Sequence, residues 1–307
     1  MTQPTTPTAE TVHRLVRSLL PGDDRPEVTP VVQGAGHATW LVGTRHVLRL
    51  ATDRDASARQ RRELRLRVLV RPHVGIAVPT SVAHGEWAAG LAYTLDTRLP
   101  GSTEEEPDIS AVGEADLATL LTGLREVPAR EAEALGVPRM APRSLETLRA
   151  AAARVTGRLG EDDEFDPAGL DRLGAPAARQ LAAPAGAAVL VHHDLRGEHL
   201  VVSGDGRVRG VLGWSDAVIG DPAEDIASLA VAVGTPAAVC AATLAGYGAR
   251  SCLRGLWLAR CDTLVRLADG LEGRDGTPLP VLRARVGRAW ESIMLERVTE
   301  LPQEETP

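Results

Sequence analysis

The sequence predicts an α+β chain in two lobes, a small β-rich one followed by a larger, mainly helical one. Three observations carry this. Residues 28–50 and 77–99 read as short strands broken by Gly-containing turns, with one helical stretch between them. From residue 108 onward the apolar spacing becomes that of helices. The chain has 307 residues, about twice the length of an ordinary domain.

Taken in order, residues 9–20 place apolar groups at helical spacing, and Pro21-Gly22 stops that helix. Strands follow at VTPVVQ and, after a break at Gly34-Ala35-Gly36, within ATWLVGTRHVLRLA, where HVLRL alternates. Residues 54–71 form an Arg-rich helix containing Glu63, and residues 77–99 return to strands around a turn at Ala89-Gly90. Helices are expected over 110–126 and 143–159. An irregular connection over 160–187 holds a short helix near 175–182. The apolar run VLVHHDL leads into two short strands, HLVVS and VRGVLGW, flanking the hairpin turn Gly204-Asp205-Gly206. Helices close the chain at 222–233, 236–248, 250–270 and 278–299. Residues 1–99 thus form one lobe and 100–307 the other, joined near Pro100-Gly101.

Composition narrows the function. Apolar residues make up 44% and charged residues 24%, which excludes disorder along the whole chain. The formal charge of −7 argues against non-specific nucleic-acid binding, which needs cationic surface. All 34 basic residues are Arg, and Lys and Asn are absent, a bias that cautions against reading each Arg as chosen for chemistry. Cys240, Cys252 and Cys261 match no paired spacing and fit a reducing compartment. The N-terminus lacks a basic and an apolar region, so no signal peptide is expected. Residues 226–246 carry no charge, yet Gly234 and Pro236 divide them, and two buried helices fit better than a membrane span. A cytoplasmic protein without membrane partners follows.

The segment VHHDLRGEHLVVSGDGRVRGVLGWSDAVIGDPAEDIASLA, residues 191–230, concentrates the chemistry. His192 and Asp194 share a loop after a strand, His199 follows, and Asp216, Asp221 and Asp225 lie beyond the hairpin. Phosphoryl transfer needs such a set: one carboxylate to receive the proton of an attacking hydroxyl, and further groups around the phosphates.

With these motifs the chain resembles the aminoglycoside and macrolide phosphotransferases, relatives of protein kinases. Their pattern is H-x-D-x-x-x-x-N, a hairpin, I-D-W/F, then G-D-P and D-L-A. The macrolide branch fits best, since its members often carry His where aminoglycoside kinases carry Asn, as this chain does in GEHLVV. The resemblance implies a two-lobed protein-kinase-like fold, nucleotide in the first lobe and acceptor in the second. It implies Asp194 as catalytic base and His192 as a brace of its loop. Gly34 and Gly36 would let the backbone approach the phosphates of ATP or GTP. Arg49 stands where kinases keep Lys, and Glu63 would pair with it. Asp96, Thr97 and Arg98, with Leu99, would form the hinge beside the purine. Asp221 and Asp225 would steady the loop, and His193, where the family has a small residue, would pack or face solvent. Mg²⁺ is implied, with His199 and Asp216 as its candidate ligands.

Three positions depart from the pattern: Arg49 for Lys, His199 for Asn, and Gly213 for the Asp of I-D-W. A guanidinium fork differs from a point ammonium, and Mg²⁺ prefers oxygen. The implied activity is transfer of the γ-phosphate to a hydroxyl of an antibiotic, macrolide or aminoglycoside. The Gly213 departure keeps a second reading open, a catalytically impaired pseudokinase or ligand-binding protein. A third is a kinase for a small metabolite, because a fold does not choose its acceptor.

Overall fold

The computed structural model describes residues 6–22, 26–31, 37–182, 184 and 186–293. Helix α1 (Ala9–Leu19), capped by the Thr8 hydroxyl, buries Val12 and Val16. It packs with a five-stranded antiparallel sheet of β1 (Val28–Val31), β2 (His37–Val42), β3 (His46–Ala51), β4 (Ser81–Ala88) and β5 (Leu91–Thr97). The spatial order is β1-β2-β3-β5-β4. The register pairs Thr39 with Arg49 and Arg49 with Thr94, so Arg49 sits on a central strand. Helix α2 (Arg54–Val70), capped by the Asp53 carboxylate, lies between β3 and β4 in sequence and packs on β5. Expected Gly34 and Gly36 lie outside the described residues.

The remainder is mostly helical. Helices α3 (Ala111–Glu126), α4 (Ala129–Ala134), α5 (Leu145–Glu161), α6 (Ala168–Asp171) and α7 (Ala175–Gln180) precede strand β6 (Val189–Val191). The hairpin of β7 (Leu200–Val202) and β8 (Val208–Val211) follows, then β9 (Val218–Gly220). Strand β9 pairs antiparallel with β6, matching Leu190 with Ile219. Helices α8 (Ala223–Val233), α9 (Thr235–Leu244), α10 (Ala249–Leu271) and α11 (Leu279–Ala289) complete the chain. Their core is aliphatic, with Leu120, Leu256, Leu258 and Leu264 fully buried.

Several expected boundaries shift for local reasons. Strand β9 and helix α4 are additional to the expected elements; β9 is three residues long, too short for periodicity to reveal. The helix expected over 236–248 ends at Leu244, where Gly246 at φ 82° turns the chain and Tyr247 N–H returns to the Ala242 carbonyl. The helix expected over 278–299 ends at Ala289. Buried Arg260 donates to the carbonyls of Ala289 and Glu291 at 3.0 and 3.2 Å, capping the helix end. Among the described residues no helix is long and apolar enough to cross a membrane. Residues 226–246 are instead α8 and α9, separated at Gly234 with φ 90°.

One buried side chain ties four segments together. Arg254 of α10, fully enclosed, donates Nε–H to Asp221 at 2.6 Å. Its other nitrogens reach the carbonyls of Leu181, Ala182 and Arg143 at 2.8–2.9 Å. Asp221 also accepts Ala223 N–H at the start of α8. A buried guanidinium with this many acceptors is compensated for the water it lost.

Candidate active site

Pairing of β6 with β9 delivers the loop after Val191 to the first turn of α8, where Asp225 is buried. The two Asp225 carboxylate oxygens accept the backbone N–H groups of His192 and His193, each at 2.8 Å. Burial pushes the Asp225 carboxyl up to about 7, although those two donors pull the other way. His192 is fully buried and donates Nε2–H to the Leu212 carbonyl at 2.8 Å, while its Nδ1 receives Asp194 N–H at 3.3 Å. Burial holds its imidazole neutral, near 3. The structure thus joins His192 to Leu212 and Asp194, and Asp225 to the loop backbone.

The loop presents Asp194, one-sixth exposed. Arg196 forks its carboxylate, Nε at 2.6 Å and Nη2 at 3.1 Å. His199 donates Nδ1–H to the Asp194 backbone carbonyl at 2.8 Å, and that nitrogen lies 3.3 Å from Oδ2. Asp194, His193 and Arg196 form one wall of a cavity of about 180 Å³. Ala227 and Val231 of α8 and Arg266 of α10 line the other side. A hydroxyl held there would meet a carboxylate able to receive its proton. His193 is expected to pack or face solvent; the structure places it on the cavity wall, in the left-handed region at φ 68°.

In the sheet, Arg49 donates Nη1–H and Nη2–H to the two oxygens of Glu63, at 2.7 and 2.9 Å. Burial by itself would raise the Glu63 carboxyl; the Arg49 guanidinium outweighs it and brings the value down to about 2. The structure thus brings Arg49 and Glu63 together. The hinge candidates stand differently. Asp96 is buried and forked by Arg67, both bonds at 3.1 Å. Thr97 N–H donates to the Thr80 carbonyl and Arg98 N–H to the Arg45 carbonyl, each at 2.8 Å. These groups are bonded within the sheet, so a purine would meet other atoms of the segment. The buried Arg67 gives Asp96, enclosed on β5, its compensating charge.

The expected metal ligands are not brought together. Asp216 is exposed, and its hydrogen-bond partner is the Ser215 hydroxyl at 3.4 Å. Among the described residues no group of three or more His, Cys, Asp or Glu side chains could hold a metal ion. Gly213 has φ 77°, and a β-carbon built there would lie 2.6–2.7 Å from Nδ1, Cε1 and Nε2 of His199. The His199 ring fills the space that a side chain at 213 would use. The residues present therefore do not fit Mg²⁺ in the manner the resemblance implies, and the pair His199 and Asp216 is corrected on that ground.

Sequence reasoning missed Arg196, Arg62 and Arg67. Arg62 donates to the Ser215 carbonyl at 2.7 Å, tying α2 to the turn after Gly213. In a chain whose every basic residue is Arg, little marked these three out. The available signal was the position of Arg196 two residues past Asp194.

The description of the phosphotransferase enzyme family matches residues 27–260. Viomycin phosphotransferase of Streptomyces vinaceus is 30% identical over 293 residues, covering 86% of this chain and 98% of that protein. Among solved structures, the GDP complex of wild-type aminoglycoside 2'-phosphotransferase-IIIa superposes with a TM-score of 0.66 at 17% identity, covering 92% and 99% of the two chains. The apoenzyme of macrolide 2'-phosphotransferase MphH from Brachybacterium faecium superposes at 0.58 with 22% identity, covering 89% and 97%. The small antiparallel sheet and helical remainder are thus those of the kinase-like phosphotransferases, enzymes with hydroxyl acceptors that include antibiotics, and the chain belongs to the phosphotransferase enzyme family.

Proposed function

We propose that this chain moves the γ-phosphate of ATP or GTP to a hydroxyl of an antibiotic, in the cytoplasm. The observation that carries the reading is Asp194, on a loop tied to Asp225 through two backbone N–H groups, at the wall of a cavity. Residues 1–99 act as the nucleotide lobe and 100–307 as the acceptor lobe. Asp194 receives the proton of the acceptor hydroxyl, and His192 keeps the loop in place through Leu212. Arg49 faces the α- and β-phosphates while bound to Glu63. The Thr97–Arg98 segment borders the purine. The His in GEHLVV keeps the macrolide branch as the preferred acceptor class, and the viomycin relative supports a wider antibiotic panel.

The test is phosphorylation of macrolide, aminoglycoside and viomycin acceptors by the purified chain, with Asp194→Asn alongside. A phosphorylated antibiotic whose yield collapses in the variant supports the reading. Equal yield from the variant removes Asp194 as base. A second reading, nucleotide binding without turnover, is favoured by the His199 ring standing over Gly213. Nucleotide binding with no phosphorylated product across the panel would favour it.

A further inference from the structure

Positions 199 and 213 behave as one unit. The backbone of His199 is held on both sides: its N–H reaches the Arg196 carbonyl at 2.9 Å, and its carbonyl accepts Leu212 N–H at 2.8 Å. Its ring is held by Nδ1–H on the Asp194 carbonyl at 2.8 Å. With the backbone and the ring both bonded, moving the imidazole away from Gly213 would break the Nδ1–H bond to the Asp194 carbonyl. A β-carbon at 213 would fall within 2.7 Å of three ring atoms, and the φ of 77° disfavours any side chain there. Gly213 accommodates His199, and His199 in turn bars an acid from 213.

This arrangement leaves poor material for a hard cation. Position 213 offers no donor. His199 offers a nitrogen ligand whose Nδ1 is already committed, whereas Mg²⁺ selects oxygen. The carboxylate nearest the ring, that of Asp194, is already neutralised by the Arg196 fork. The same guanidinium also lies 3.5 Å from Glu198, so this cluster has no carboxylate left unpaired for a cation.

We propose that this chain binds its nucleoside triphosphate without a divalent cation at this position. The His199 ring over Gly213 fills the place that a cation-binding acid would use. The inference rests on the nucleotide reading above, but it concerns binding and does not require turnover.

The experiment is calorimetry of the full chain with ATP and GTP, each in Mg²⁺ and in EDTA. The expected dissociation constants agree within about threefold between the two conditions. Two further variants give the coupling a direct readout. Gly213→Asp alone should lower the melting temperature. His199→Asn combined with Gly213→Asp should recover part of that loss and make nucleotide binding tighten with Mg²⁺ by about tenfold or more. Tightening by about tenfold in the unaltered chain would overturn the inference and leave the phosphotransfer reading intact. Absence of nucleotide binding in both conditions would overturn both. A single Gly213→Asp variant as stable as the parent would show that the ring does not exclude a side chain, and would also overturn the inference.

Discussion

Asp225 holds two consecutive backbone N–H groups, those of His192 and His193, one on each carboxylate oxygen at 2.8 Å. That bidentate grip fixes the turn from which Asp194 projects. Asp225→Asn keeps one acceptor oxygen and puts an NH₂ where the other stood. The loop should shift by a fraction of an ångström, and kcat for acceptor phosphorylation should fall by about 100-fold. On the proposed reading, in which the sheet lobe binds the nucleotide, nucleotide affinity should change little. Steady-state kinetics beside calorimetry separates the two.

The pairing of Arg49 with Glu63 gives a second prediction. Both oxygens of a nearly fully buried carboxylate are bonded to one guanidinium. Glu63→Ala leaves that guanidinium without its partner and should cost about 3 kcal/mol of stability. Arg49→Lys keeps the charge and loses the fork, so it should cost less and retain most nucleotide binding. Urea denaturation of both variants checks the order; a lysine variant less stable than Glu63→Ala contradicts it.

The strained His193 gives a third. A non-glycine residue at φ 68° sits in a region that glycine occupies freely. His193→Gly should leave stability unchanged or raise it by up to about 1 kcal/mol. Because the ring lines the cavity beside Asp194, the same change should alter the acceptor KM and spare nucleotide affinity. A clear drop in melting temperature would show that contacts of the ring outweigh the strain.

Acid stability follows from the neutral histidines. His37 is lowered to about 4 by burial, then by Arg49, and His192 to about 3 by burial, then by His199, against an ordinary 6.5. Unfolding lets each take up a proton below pH 6.5, so the stability present above that pH drains away as pH falls. Asp225, near 7 in the fold against an ordinary 3.8, acts in the opposite sense between those values. Two groups against one leave a net loss of about 1 kcal/mol over the first pH unit below 6.5. Unfolding free energies at pH 7.5 and 5.5 test this, and His37→Gln should flatten the slope.

Strands and long helices were legible because their periodicity is strong, as in HVLRL for β3 and the helical spacing of 250–270. His192 and Asp194 stand out because their spacing is local, whereas Asp225, 33 residues beyond His192, is singled out through the resemblance to the family pattern. The hinge was less so: which N–H groups of Thr97 and Arg98 are already bonded depends on Thr80 and Arg45, distant in sequence. The relation of His199 to Gly213 is likewise three-dimensional. Each departure from the family pattern could be seen alone, but their mutual contact could not. Arg196 stayed hidden in the chain's uniform use of arginine.

Arg254 and Asp225 also order events during synthesis. The loop bearing Asp194 leaves the ribosome before Asp225, whose carboxylate shapes it, and Asp221 emerges well before Arg254 neutralises it. A nascent chain halted between these points carries Asp194 and Asp221 without the partners that settle them. The loop bearing Asp194 therefore gains its Asp225 tie only once α8 has begun to emerge, and Asp221 its counter-charge only once α10 has.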